Sequence, residues 1–105
     1  MLASSSSGGT ASATVALVAS GQVVAAVVGK RIRVFGVGVV SRLATDVKFQ
    51  STATDITGAL PFAANGGIVW PSGPQPWFQT GIGEALNINM TVATTVGGVV
   101  LYDVV

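Results

Sequence analysis

Glycine interrupts this sequence every few residues, fourteen times in all. The apolar runs between the glycines are largely valine and isoleucine, as in Val23-Val24 and Val37-Gly38-Val39-Val40. A helix interior penalises both residue types, glycine by about 1 kcal/mol against alanine, whereas strands and turns accommodate them. The chain is therefore expected to be all-β. The clearest period is at Leu86, Ile88, Met90 and Val92, which alternate with Asn87, Asn89, Thr91 and Ala93. A repeat of two with an apolar and a polar side describes a strand with one face buried.

Strands are predicted over Val15–Val18, Val23–Val28, Arg31–Ser41, Thr45–Ser51, Ile56–Ala63, Ile68–Trp70, Trp77–Thr80, Leu86–Val92 and Val96–Val104. Turns fall at Ser20-Gly21-Gln22, Asn65-Gly66-Gly67 and Gly81-Ile82-Gly83, where residues that accept positive φ cluster. Pro71-Ser72-Gly73-Pro74-Gln75-Pro76 cannot join a central ladder and reads as a loop. Short strands at such regular spacing suggest a sandwich or barrel. With 105 residues there is room for one domain. We assign it to residues 14–105, preceded by a flexible Ser/Gly-rich arm over residues 1–13.

The run Arg31–Ser41 carries more information. Ile32 and Val34 point one way and Arg31 and Arg33 the other, after which both faces become apolar. Phe35, Val37 and Val39 then share one side, and Gly36, Gly38 and Val40 the other. A strand apolar on both faces is covered on both, and in so small a domain the second cover is expected to be another subunit. Gly36 and Gly38 leave a trough, for which two explanations stand: a ring such as Trp70 or Trp77 fills it, or the glycines relieve crowding at a bend or bulge.

Charge supports a partnered chain. Charged residues make up 9% of the chain, where about 25% is usual, and half of all residues are hydrophobic. Extensive apolar surface marks interfaces. A net charge of +1, with Lys30, Arg31 and Arg33 as the one basic cluster, does not suit a phosphate backbone, so no nucleic-acid partner is expected. No membrane partner is expected either, since Val15–Val28 is interrupted by Ser20, Gly21 and Gln22 and is too short to span a bilayer as a helix. The start of the chain lacks the positive and apolar regions of a secretory signal.

The same composition removes most chemistry. Cysteine and histidine are absent, which removes the thiol nucleophile, the thiolate metal site and the commonest general base. The acids Asp46, Asp55, Glu84 and Asp103 show no spacing that selects a catalytic pair or a calcium site. Asp46 and Asp55 are assigned to turns, and Asp103 to a pair with a basic residue. Gly36-Val37-Gly38 and Gly81-Ile82-Gly83 lack the following helix of a phosphate-binding loop. We expect no enzyme, no cofactor and no metal.

One aromatic feature remains, Trp70 through Trp77-Phe78 around the proline-stiffened loop. Its rings suit three roles: the heaviest part of a small core, an anchor at a protein interface, or a stacking platform for sugars. Phe35, Val37, Val39, Trp70, Trp77 and Phe78 are therefore the candidate oligomer or assembly interface.

Five segments together resemble a recurrent group of small tailed-phage virion proteins. They are Gly29-Lys30-Arg31-Ile32-Arg33-Val34, Val47-Lys48-Phe49-Gln50-Ser51, Asp55-Ile56-Thr57-Gly58, Ala63-Ala64-Asn65-Gly66-Gly67 and Gly83-Glu84-Ala85-Leu86-Asn87-Ile88-Asn89. The resemblance covers roughly residues 14–105. It implies an antiparallel, jelly-roll-like β-sandwich that forms a homotrimer. The implied role is capsid decoration, or cement, on the outer shell of the virion, with the major capsid protein as partner and synthesis in the host cytoplasm. It carries over no functional residue.

Overall fold

The computed structural model describes residues 11–105, all strand, turn and loop. Ten strands form in chain order: β1 (Ala11–Leu17), β2 (Gly21–Val24), β3 (Ile32–Ser41), β4 (Thr45–Ser51), β5 (Thr54–Asp55), β6 (Leu60–Phe62), β7 (Gly67–Trp70), β8 (Phe78–Gln79), β9 (Leu86–Met90) and β10 (Val96–Val104). They pair antiparallel throughout, in two five-stranded sheets. One sheet runs β1-β10-β3-β7, with β8 also on β3; the other runs β2-β9-β4-β5, with β6 also on β4. The two pack into a sandwich, the all-β class expected from the glycine and valine pattern.

The core is the meeting of the two inner faces. Val15, Ile32, Val34, Val37, Val39, Val96 and Val100 come from the first sheet; Val47, Phe49, Leu86 and Ile88 come from the second. Burying one such side chain is worth roughly 1.5–3 kcal/mol. β4 and β9 alternate buried and half-buried positions without a break, as a two-residue period requires.

β3 breaks its own alternation. β10 pairs Leu101 with Gly36 and Tyr102 with Val34, so Phe35 is left over as a β-bulge. The extra residue resets the phase. Ile32 and Val34 before the bulge, and Val37, Val39 and Ser41 after it, are all buried. The strand is apolar on both sides as expected, but the placing of Val37 and Val39 at a candidate contact is thereby corrected. Val37 and Val39 are 3% and 1% exposed, inside the chain's own core.

Several boundaries also shift. Residues 1–10 of the expected arm lie outside the described residues; Ala11, Ser12 and Ala13 belong to β1, paired with Tyr102, Leu101 and Val100. Residues 25–28 are exposed loop rather than strand, because Val24 already pairs with Leu86, the first residue of β9. Ile56–Ala63 is not one strand: β5 and β6 visit β4 separately around Gly58. The Asn65-Gly66-Gly67 turn forms as expected, with Asn65 at φ 60°. Gly67 is demanded there, since a Cβ would collide with the Val39 carbonyl oxygen.

Candidate interaction surface

The sheet register fixes which side chains leave the β1-β10-β3-β7 sheet on its outward side. Val100 faces Val37 on the buried side, so their neighbours point out. One outward row is Thr14, Val99, Gly38 and Val69; the next is Ala16, Gly97, Val40 and Gly67; Ser12, Leu101 and Gly36 lie in a third. None of these side chains carries a charge. The two β3 glycines leave a trough of about 230 Å³, walled by Val99 and Leu101 on one side and by Val69 and Pro71 on the other. Val69 is 78% exposed, a ridge standing beside the hole.

Charge returns at the ends of this face, with Arg42 beside Val40 at one and Arg33 beside Asp103 at the other. Arg33 and Asp103 are register partners, and the guanidinium grips the carboxylate at two points: Nε donates to Oδ1 at 2.8 Å and Nη2 to Oδ2 at 2.5 Å. The hydrogen bond to Asp103 raises the Arg33 pKa above its ordinary value, against the opposing cost of desolvation. The guanidinium carbon lies 5.3 Å from the centre of the Phe35 ring, a cation–π arrangement that closes over the bulge residue. Phe35 is thus buried beneath Arg33, apart from the main core cluster.

Neither tryptophan fills the trough. Trp70 pairs with Val37 and turns inward, its ring centre 6.2 Å from that of core residue Phe49. Phe78 also packs on Phe49, at 5.1 Å, and meets Trp70 edge-on at 6.0 Å. Trp77 stacks outside Trp70 at 5.6 Å and 24°, and its Nε1 donates to the Pro71 carbonyl at 2.9 Å. Of the six residues singled out from the sequence, Trp77 alone has large exposure, 51%. Trp70 and Phe78 are the margin of the core, and Phe35, Val37 and Val39 are buried. The residues that build the outward face, Val69, Val99 and Leu101, escaped that selection. The signal for them was the adjacent pair Val34-Phe35, two apolar residues out of alternation, which marks the phase reset.

Three of the four acids, Asp55, Glu84 and Asp103, have side-chain partners, and the four stand apart. Asp55 takes hydrogen bonds from Lys48 Nζ at 3.1 Å and Gln50 Nε2 at 2.7 Å. Ser51 donates to Glu84 and accepts from the Gly81 amide at 2.9 Å, tying the Gly81-Ile82-Gly83 turn to β4. The backbone carbonyl of Asp46 accepts from the Thr91 amide at 3.1 Å. Among the described residues, no cluster of three or more acids has the grouping of a metal site. No helix there is long and apolar enough to cross a membrane. What the geometry offers is a shaped, uncharged sheet face with a hole and an adjoining ridge. Compared with protein-family models, curated proteins and solved structures, the chain matches none.

Proposed function

We propose that this chain is a structural virion protein, a jelly-roll module that decorates the capsid and cements it by packing its uncharged sheet face against neighbours. The observation that carries the reading is the outward face of the β1-β10-β3-β7 sheet, apolar across the trough from Val99 to Val69. A face without charge pays little desolvation penalty on contact, and apolar patches of this kind mark sites of association. The jelly-roll form is supported by strand order. Taking β7 with β8 and β5 with β6 as single edge positions, consecutive strands alternate between the sheets except from β4 to β5/β6, which stay in one sheet; the orders β1-β10-β3-β7 and β2-β9-β4-β5 suit two interleaved Greek keys. The resemblance supplies the rest: three copies about one axis, seated on the major capsid protein at the virion surface.

The test is to mix the purified protein with capsids that lack it. Saturable binding with a raised capsid melting temperature is expected. Absence of both would reject the cement role.

A second reading rests on Trp77. Its half-exposed ring, backed by Trp70 at 5.6 Å, is a preformed flat surface of the kind on which a sugar ring stacks. Glycan binding that disappears in Trp77→Ala while the fold is kept would favour a fibre-type recognition module over a cement protein.

A further inference from the structure

Among the described residues, nothing requires Gly38 to be glycine. Gly98, which pairs with Val39, sits at φ 152°, and a Cβ there would strike the Gly38 carbonyl oxygen. At Gly36 a Cβ would press on Leu101 Cδ1 at 3.3 Å and on Ser72 at 3.4 Å. At Gly38 a Cβ would meet nothing within 4 Å, and the residue lies within a regular strand. Glycine inside a strand weakens it and often marks the close approach of something else. Here nothing in the described chain makes that approach.

We infer that the trough receives Val69 of a second copy of this chain, across a two-fold axis that runs along the strands between β3 and β7. Val69 and Gly38 are register partners, so knob and hole lie at the same height on adjacent strands. An axis midway between them carries each Val69 over the other copy's Gly38, and the contact is its own complement, as two-fold symmetry demands. The three rows around the trough hold no charge, and Arg33 at the end of the face is already paired with Asp103. The sheets would stack about 10 Å apart, with strands within about 30° of alignment. A charged peptide or a glycan finds no polar complement between Val69 and Val99, and this favours an apolar self-contact.

The size of the face sets the strength. Four strands about 4.8 Å apart and five residues of about 3.3 Å each give a footprint of about 300 Å². A standard interface covers about 800 Å² per partner. The contact is therefore concentration-dependent. Alone it yields dimers; combined with a three-fold axis it pairs trimers. The inference rests on the proposed role only in treating this face as a contact surface.

Sedimentation velocity and light scattering on the full chain, over a concentration series reaching the millimolar range, test it. The wild type should double in mass along the series. Gly38→Val, which fills the trough with a residue that strands favour, and Val69→Asp should both hold the lower mass, with unchanged circular dichroism. If Gly38→Val fails to fold, Val69→Asp decides. A wild type that never doubles, or a folded Val69→Asp chain that doubles like the wild type, would overturn the inference while leaving capsid binding standing. A doubling wild type that ignores capsids would do the reverse.

Discussion

The two sheets of this sandwich share one core and turn opposite kinds of surface outward. On the β2-β9-β4 sheet the outward positions are Gln22, Asn87, Asn89, Asp46, Lys48 and Gln50. Asp55 from the neighbouring β5 gathers Gln50 and Lys48 into a small polar network. On the β1-β10-β3-β7 sheet the corresponding positions, away from the Arg33–Asp103 pair at one end, are glycine, alanine, valine, leucine, serine and threonine. The first surface suits water, and the second is the one we propose to be covered by protein. The uncharged stretch is thus local: it covers the middle of one sheet, between the Arg33–Asp103 pair and Arg42.

The comparison can be broken at several places. The largest effect is expected at Phe49, fully buried between the sheets and in ring contact with Trp70 and Phe78. Phe49→Ala should cost about 3–5 kcal/mol and lower one shared melting transition. Two separate transitions in calorimetry would show that the sheets are not one unit. Asp103→Ala comes next: it strips Arg33 of its two-point partner and uncovers Phe35, so the melting temperature should fall, though less than for Phe49→Ala. Val69→Asp should leave the free chain's denaturant midpoint close to the wild type, within about 0.5 kcal/mol, while removing association. Asn89→Lys on the polar sheet should change neither stability nor association beyond that margin. The smallest effect is acid dependence at Asp55. The hydrogen bond from Gln50, and then Lys48, hold this carboxyl below its usual pKa. Its contribution is therefore present at neutral pH and lost as the pH falls through and below the ordinary carboxylate range. Asp55→Asn should flatten that part of the stability–pH curve; an unchanged curve would mean that the exposed network contributes nothing.

The same contrast explains what could be read from the residues alone. On the polar sheet, Leu86 to Met90 and Val47 to Phe49 obey strict alternation, and their faces were legible at once. Val96–Val104 was legible to its ends. On the apolar sheet alternation carries less information, because inward and outward residues are both apolar. A single bulge at Phe35 then moved Val37 and Val39 from a supposed contact face into the core. Val69 was hidden for the same reason: Ile68-Val69-Trp70 is apolar throughout, and only pairing with Gly38 shows which of the three points out. The Gly36–Gly38 trough itself was visible in the spacing of the glycines. Its emptiness was not, because whether a ring fills it depends on where β7 docks.

The most direct measurement compares one lysine on each outward face. Val99→Lys places a charge beside the trough, and Asn89→Lys places the same charge on the polar sheet. Each variant is mixed with capsids lacking the protein, and saturable binding is read. The account predicts that Asn89→Lys binds as the wild type does and that Val99→Lys, equally well folded, loses binding. Equal binding by both, or loss confined to Asn89→Lys, would contradict it.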